Sequence, residues 1–231
     1  MNIEDFNHKF IERYLSIPKE LRSLNSYPFL ISLSCSSHAR HVVPIYFKQP
    51  QDWLSSYYDV DLTSDKLYEL LMSEYNENLL SNRAYKPIKL FIEYKNRLQT
   101  ERLDIDIVYN NLIKFSRNSN KGLDPDTYDG KFTDQFNDLL EEEYKIIEPY
   151  RSVFCIGSNE DYTGLMSWKI LNDIDINPLK ERPFGVYKDK MGNEVLHTYH
   201  PNYWHSIKDI DLKEIVYKFI IGEKIELLHV D

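Results

Sequence analysis

Residues 194–206 read EVLHTYHPNYWHS. A segment with Val195 and Leu196 near its start runs into a loop carrying His200, Tyr203, Trp204 and His205. The segment reads as a β-strand, and its carboxyl end opens into polar and aromatic residues. The arrangement recurs three times upstream. VVPIYF (42–47) precedes KQPQDW, LDIDIVYN (103–110) runs into NNLIKFSRNSNKG, and SVFCIG (152–157), the most evidently buried of the four, runs into GSNEDYTG. Pro44 marks the first of these as an edge strand or a bend, because proline brings no N–H to a ladder.

Helical patterns separate the strands. Ile3, Phe6, Phe10, Ile11 and Tyr14 recur at helical spacing over 3–16, and Leu67, Leu70, Leu71, Tyr75 and Leu79 do so in a helix capped by Thr63 or Ser64. Further helices are expected over 87–97, 131–147, 159–171 and 211–221. The 131–147 helix turns Phe132, Phe136, Leu139, Leu140, Tyr144 and Ile147 inward and its glutamate run outward. PFLISLS, from Pro28, fits either helix or strand, and GVYK with the turn DKMGN leads into the opening strand. Strands alternating with helices predict a layered α/β fold whose functional groups collect on loops at the carboxyl ends of parallel strands.

The composition, 42% hydrophobic and 28% charged, is that of a folded globular chain. Cys35 and Cys155 lie far apart in apolar runs, which fits a reducing cytosol. The acidic, polar start MNIEDFNHKF does not read as a signal peptide, and no apolar run approaches the roughly 18 residues needed to span a bilayer. A soluble cytoplasmic protein with no membrane partner is the expectation. The net charge of −9 counts against a protein that passively coats nucleic acid. It leaves room for a local basic groove, because Glu141, Glu142, Glu143 and Glu148 are clustered elsewhere.

Three kinds of site compete for the histidine-rich loop. A zinc site would need His197, His200 and His205 to converge, but alternation sends His197 and Tyr199 to one face and Thr198 and His200 to the other. No metal is expected, and the histidines can equally be ordinary core or surface residues. There is no GxxxxGKS or GxGxxG phosphate loop and no GxSxG elbow in this chain of seven glycines. Cys155 sits inside a strand and reads as packed, not reactive. What remains is a set of Asn, His, Asp and aromatic residues suited to a planar, hydrogen-bonding ligand such as a nucleobase.

On these loops the chain resembles the uracil-DNA glycosylase superfamily over roughly residues 42–206. HPNYW resembles the family's HPS-type motif, which implies that His200 contacts the base oxygen and that Tyr203 or Trp204 fills the hole left by a flipped nucleotide. The run from Asn111 through Lys114 to Arg117 resembles the family's N-V-V-K-C-R run. It implies that Asn111 reads the base, or Asn110 if the alignment slips by one, with Lys114 and Arg117 on phosphates. The first family motif, GQDPYH or GEAPG, is altered here to FKQPQDW. Lys48 replaces the glycine, Gln49 is retained, and Pro50 replaces the water-positioning Asp, leaving Asp52 to orient water and Tyr57 or Tyr58 to stack on the base.

The resemblance implies one domain over 1–231, with an N-terminal helical extension (1–41), the motif-bearing part (42–206) and a C-terminal helix (207–231). It implies a three-layer α/β/α fold with a central four-stranded, mainly parallel sheet. The implied activity is that of a monomeric, monofunctional, cofactor-free DNA glycosylase acting in base excision. The broken first motif turns the expected substrate from uracil toward a modified pyrimidine, such as a hydroxymethylated or glucosylated cytosine of phage DNA, and the role toward antiviral defence. Two rivals stand beside it: an inactive descendant that binds a partner or a nucleobase, and a nucleoside hydrolase. A basic rim around His200, drawn from Lys114, Arg117, Lys188, Lys190 and Lys208, would favour DNA.

Overall fold

The computed structural model describes residues 2–22, 27–28, 30–31, 40–47, 61–74, 86–111, 136–155, 185–206 and 211–225, with backbone alone at 21, 86–88, 137, 140, 203, 205 and 206. The helices are α1 (Ile3–Ser16), α2 (Lys19–Arg22), α3 (Ser64–Glu74), α4 (Lys86–Thr100), α5 (Asn137–Ile147) and α6 (Leu212–Ile220). The strands are β1 (His41–Phe47), β2 (Ile105–Asn111), β3 (Arg151–Cys155), β4 (Gly185–Lys188) and β5 (Glu194–Thr198), and a 3₁₀ turn covers Pro201–Ser206. Tyr75, Leu79, Phe132, most of PFLISLS and the expected 159–171 helix lie outside the described residues.

The strands form one sheet in the order β2-β1-β3-β5-β4. β2, β1, β3 and β5 are parallel, whereas β4 is antiparallel to β5. The sheet therefore has five strands and not the expected four. The extra edge strand is GVYK, returned by a tight turn in which the N–H groups of Met191 and Asn193 both donate to Asp189 Oδ1 at 2.8 Å. Gly192 supplies the positive φ of +87° in that turn.

Pro44 also departs from its reading, because β1 is interior, between β2 and β3. The β1–β3 ladder begins only at Ile45 opposite Val153. Val42 O accepts from Tyr150 N–H at 2.9 Å, so by alternation the nitrogen of Pro44 faces that same side, just ahead of the first ladder pair. An interior strand tolerates the proline because the N–H it lacks falls where the pairing has not yet started.

Strand alternation divides the apolar residues between two helical layers. Val43, Ile45, Phe47, Ile107, Val153 and Leu196 join α4 and α6 in one cluster. Val108 meets α1, α3 and α5 in the other. α1 is started by a capping box, with Asp5 N–H donating to Asn2 Oδ1 at 2.8 Å. Its inward stripe of Phe6, Phe10, Ile11 and Tyr14 is buried, and Phe10 stacks on Phe136 with centroids 4.9 Å apart. The helix is part of the core. In α5, Leu139, Tyr144 and Ile147 point inward as expected, but the glutamate run is not wholly outward. Glu143 is 2% exposed, because it shares the inward stripe of Phe136, Leu139 and Ile147.

Because α1 closes the second cluster, Phe10→Ala should lower the unfolding free energy by about 3–5 kcal/mol. Equilibrium urea denaturation checks this; a loss under 1 kcal/mol would mean that α1 docks without supporting the core.

Candidate functional site

Parallel register brings the ends of four strands into one line. Phe47 pairs with Asn111 on one side and with Cys155 on the other, and Cys155 pairs with Thr198. The side chains of Asn111, Phe47, Cys155 and Thr198 therefore share a face, the one covered by α4 and α6. The row just behind, Asn110, Tyr46, Phe154 and His197, faces the other way.

Phe47 forms the apolar centre of the front row. Its ring stacks on Tyr109 at 4.8 Å, and the ring of His200 approaches it edge-on at 5.9 Å with an interplanar angle of 73°. His200 lies two residues beyond Thr198, so strand parity carries it to this same face. Its Nδ1 accepts the Asn202 N–H at 3.3 Å. A nitrogen that accepts carries no proton, so the neutral ring donates through Nε2, the tautomer suited to an anionic or carbonyl oxygen. His197 turns to the opposite face, where its ring meets Tyr187 edge-on at 6.5 Å. The two histidines thus diverge as strand alternation requires.

The 3₁₀ turn that follows is held by Trp204, whose indole N–H donates to Tyr199 O at 2.7 Å while its ring packs against the α4/α6 cluster. This ties Trp204 inward and leaves Tyr203 in mid-turn, where the backbone alone is described.

Asn110 and Asn111 have opposite surroundings. Asn110 is fully buried, donates from Nδ2 to Glu143 Oε1 at 2.7 Å and accepts the Asn111 N–H on Oδ1 at 2.8 Å. Asn111 is 1% exposed, and neither atom of its carboxamide has a hydrogen-bond partner. Thr198 Oγ1, in the same row, is also buried without a partner. A buried polar group left unpaired costs about 1–3 kcal/mol, so each such group needs an explanation. Cys155, between them, is fully buried, and burial pushes its thiol well above the usual range. It stays a protonated, packed thiol, which leaves it no nucleophilic role.

Of the remaining residues expected from the sequence, Gln49, Asp52, Tyr57, Tyr58, Lys114 and Arg117 lie outside the described residues, as does Lys208. Lys188 and Lys190 are described, and they do not rim His200. Lys188 pairs with Glu194 at the amino end of β5, the far end of the sheet from Thr198. Phe47, Thr198 and Glu143 are site residues that the sequence reading missed. Stepping back two positions from His200 would have found Thr198, and the last apolar residue before the KQPQDW loop is Phe47. Following the inward stripe of α5 would have found Glu143.

Together these features define a class: an α/β protein with a mostly parallel sheet and a row of polar and aromatic residues at its carboxyl end. Comparison with protein-family models gives no match, and comparison with curated proteins gives none either.

If the Asn111 amide is kept for a ligand and not for the fold, Asn111→Ala should leave stability unchanged or raise it by up to about 1 kcal/mol. Asn110→Ala, which strips a donor from a buried carboxylate, should cost about 2–4 kcal/mol. Paired urea titrations of the two variants test the contrast.

Proposed function

We propose that the chain is a DNA glycosylase that hydrolyses the N-glycosidic bond of a flipped pyrimidine, with a modified cytosine as the preferred class of base. The observation that carries this reading is the buried, unpartnered carboxamide of Asn111, in register with Phe47, whose ring His200 approaches edge-on. An amide offers one donor and one acceptor face, which matches the edge of a pyrimidine. Phe47 provides an aromatic surface for its ring, taking the stacking role that the resemblance implies for Tyr57 or Tyr58.

In this reading Asn111 reads the base and His200 donates through Nε2 to the oxygen on which negative charge builds as the bond to the sugar breaks. Asp52 orients the attacking water. Tyr203 is the better of the two wedge candidates, since Trp204 is committed to its Tyr199 bond. Lys114 and Arg117 contact phosphates. The water adds to the sugar carbon, and the base leaves with the bonding electron pair and takes up a proton. Neither metal nor organic cofactor takes part.

One observation favours a second reading. Lys188 and Lys190 lie at the wrong end of the sheet to guide duplex DNA toward His200, which suits a nucleoside hydrolase or a nucleobase-binding protein. Base release should therefore be measured on DNA containing uracil, mismatches or modified cytosines, and in parallel on the free nucleosides. On the glycosylase reading, DNA is cleaved, His200→Ala lowers kcat about 10²–10³-fold as loss of one charge-stabilising donor does, and Asn111→Ala abolishes release. Cleavage of nucleosides alone would establish the hydrolase, and binding without cleavage the silent binder.

A further inference from the structure

We propose that Glu143 and Asn110 are positioning residues that set the recognition amide of Asn111 from the opposite face of the sheet. This rests on the role given to Asn111 above. Consecutive strand residues point to opposite faces, so beyond the ladder to Phe47 a group can fix the main chain at Asn111 from the Asn110 side without blocking its side chain. That side carries an unbroken link: Glu143 Oε1 accepts from Asn110 Nδ2 at 2.7 Å, and Asn110 Oδ1 accepts from Asn111 N–H at 2.8 Å. All three residues are at most 2% exposed.

The chemistry of the link is directional. Glu143 Oε1 is the acceptor, so Asn110 presents its NH₂ toward α5. The amide oxygen of Asn110 is then committed to the Asn111 N–H. With the amide reversed, an NH₂ would confront that N–H and an oxygen would confront the carboxylate. Glu143 thereby selects one of two amide orientations, and that orientation holds the peptide from which the Asn111 side chain projects.

The position of Glu143 argues for use beyond packing. It occupies the stripe of α5 shared by Phe136, Leu139 and Ile147, where an apolar residue would bury without the desolvation cost of a carboxylate. Tyr46, paired in register with Asn110, is buried beside it, and its hydroxyl is held protonated first by burial and then by the charge of Glu143. The second face thus keeps a polar support directly behind the recognition residue.

Hydrogen exchange of the Asn111 backbone amide in the ¹⁵N-labelled full chain, referred to the Val153 amide at the sheet centre, tests the link without any substrate. Asn110→Asp sets two carboxylates against each other and should speed Asn111 exchange at least tenfold relative to Val153. Adding Glu143→Gln supplies a donor to the new carboxylate and should restore the wild-type ratio, whereas Glu143→Gln alone should change it little. If Asn110→Asp does not fold, Glu143→Leu, which removes the acceptor without adding charge, should raise the same ratio. An unchanged ratio in the folded single variant, equal acceleration of both amides, or no recovery in the double variant overturns the proposal. Where the wild type releases a base, kcat/KM should fall and recover through the same series. A wild type that releases none retires the glycosylase reading, and the exchange ratios still decide the coupling.

Discussion

The parallel pairing of β1 with a strand on either side is the constraint on which the site depends. Parallel strands end on the same side, and the register Phe47–Asn111, Phe47–Cys155 and Cys155–Thr198 makes four of them end at the same level. Neighbouring strands lie about 4.8 Å apart, so the row from Asn111 to Thr198 spans three spacings, about 14 Å. Its centre is apolar and its ends are polar. No loop conformation is needed to bring these groups together, since the ladder alone does so.

Parity then divides the work between the two faces. A one-residue shift in a strand exchanges every side chain between faces, which is why Asn110 and Asn111, indistinguishable by type, have such different surroundings. One is locked to a buried carboxylate and the other is kept unpaired. The same rule separates His197 from His200 and makes a three-histidine metal site unsuited to this strand. It also gives Cys155 a dry position between Phe47 and Thr198, where a thiol is inert.

Much of this was legible in the sequence, because alternation and helical spacing record directly which residues face inward. The strand read over 103–110 and found at Ile105–Asn111, the α1 stripe and the opposition of His197 to His200 all follow from period. Three features were not legible for identifiable reasons. Pro44 read as an edge or a bend, and the edge half failed because the sequence does not show where a neighbouring ladder begins. GVYK read as a strand without showing that it would join the same sheet, since pairing partners are set by tertiary contacts. Glu143 was grouped with a solvated acidic run by its residue type, although its helical phase placed it inward. Charge type and helical phase disagreed there, and phase decided.

A further indication of a site lies in where buried polar groups are left unpaired. Behind the sheet, Tyr144 bonds to both Ser152 and Asp189, and Asn110 to Glu143, while the hydroxyls of Tyr46, Ser64 and Tyr68 and the Asn7 Oδ1 are buried without a hydrogen-bond partner. In front, the Asn111 carboxamide and the Thr198 hydroxyl are buried and unpaired at the end where parallel strands open. A chain under no demand but stability would replace such groups with apolar ones of similar size, at little cost and with some gain. A fold that spends hydrogen bonds holding the backbone of Asn111 while leaving its side chain unpaired is ordered around that side chain. Such order is expected where a rigid scaffold presents a group to a ligand, and on the proposed reading Asn111 presents it on the α4/α6 side of the sheet.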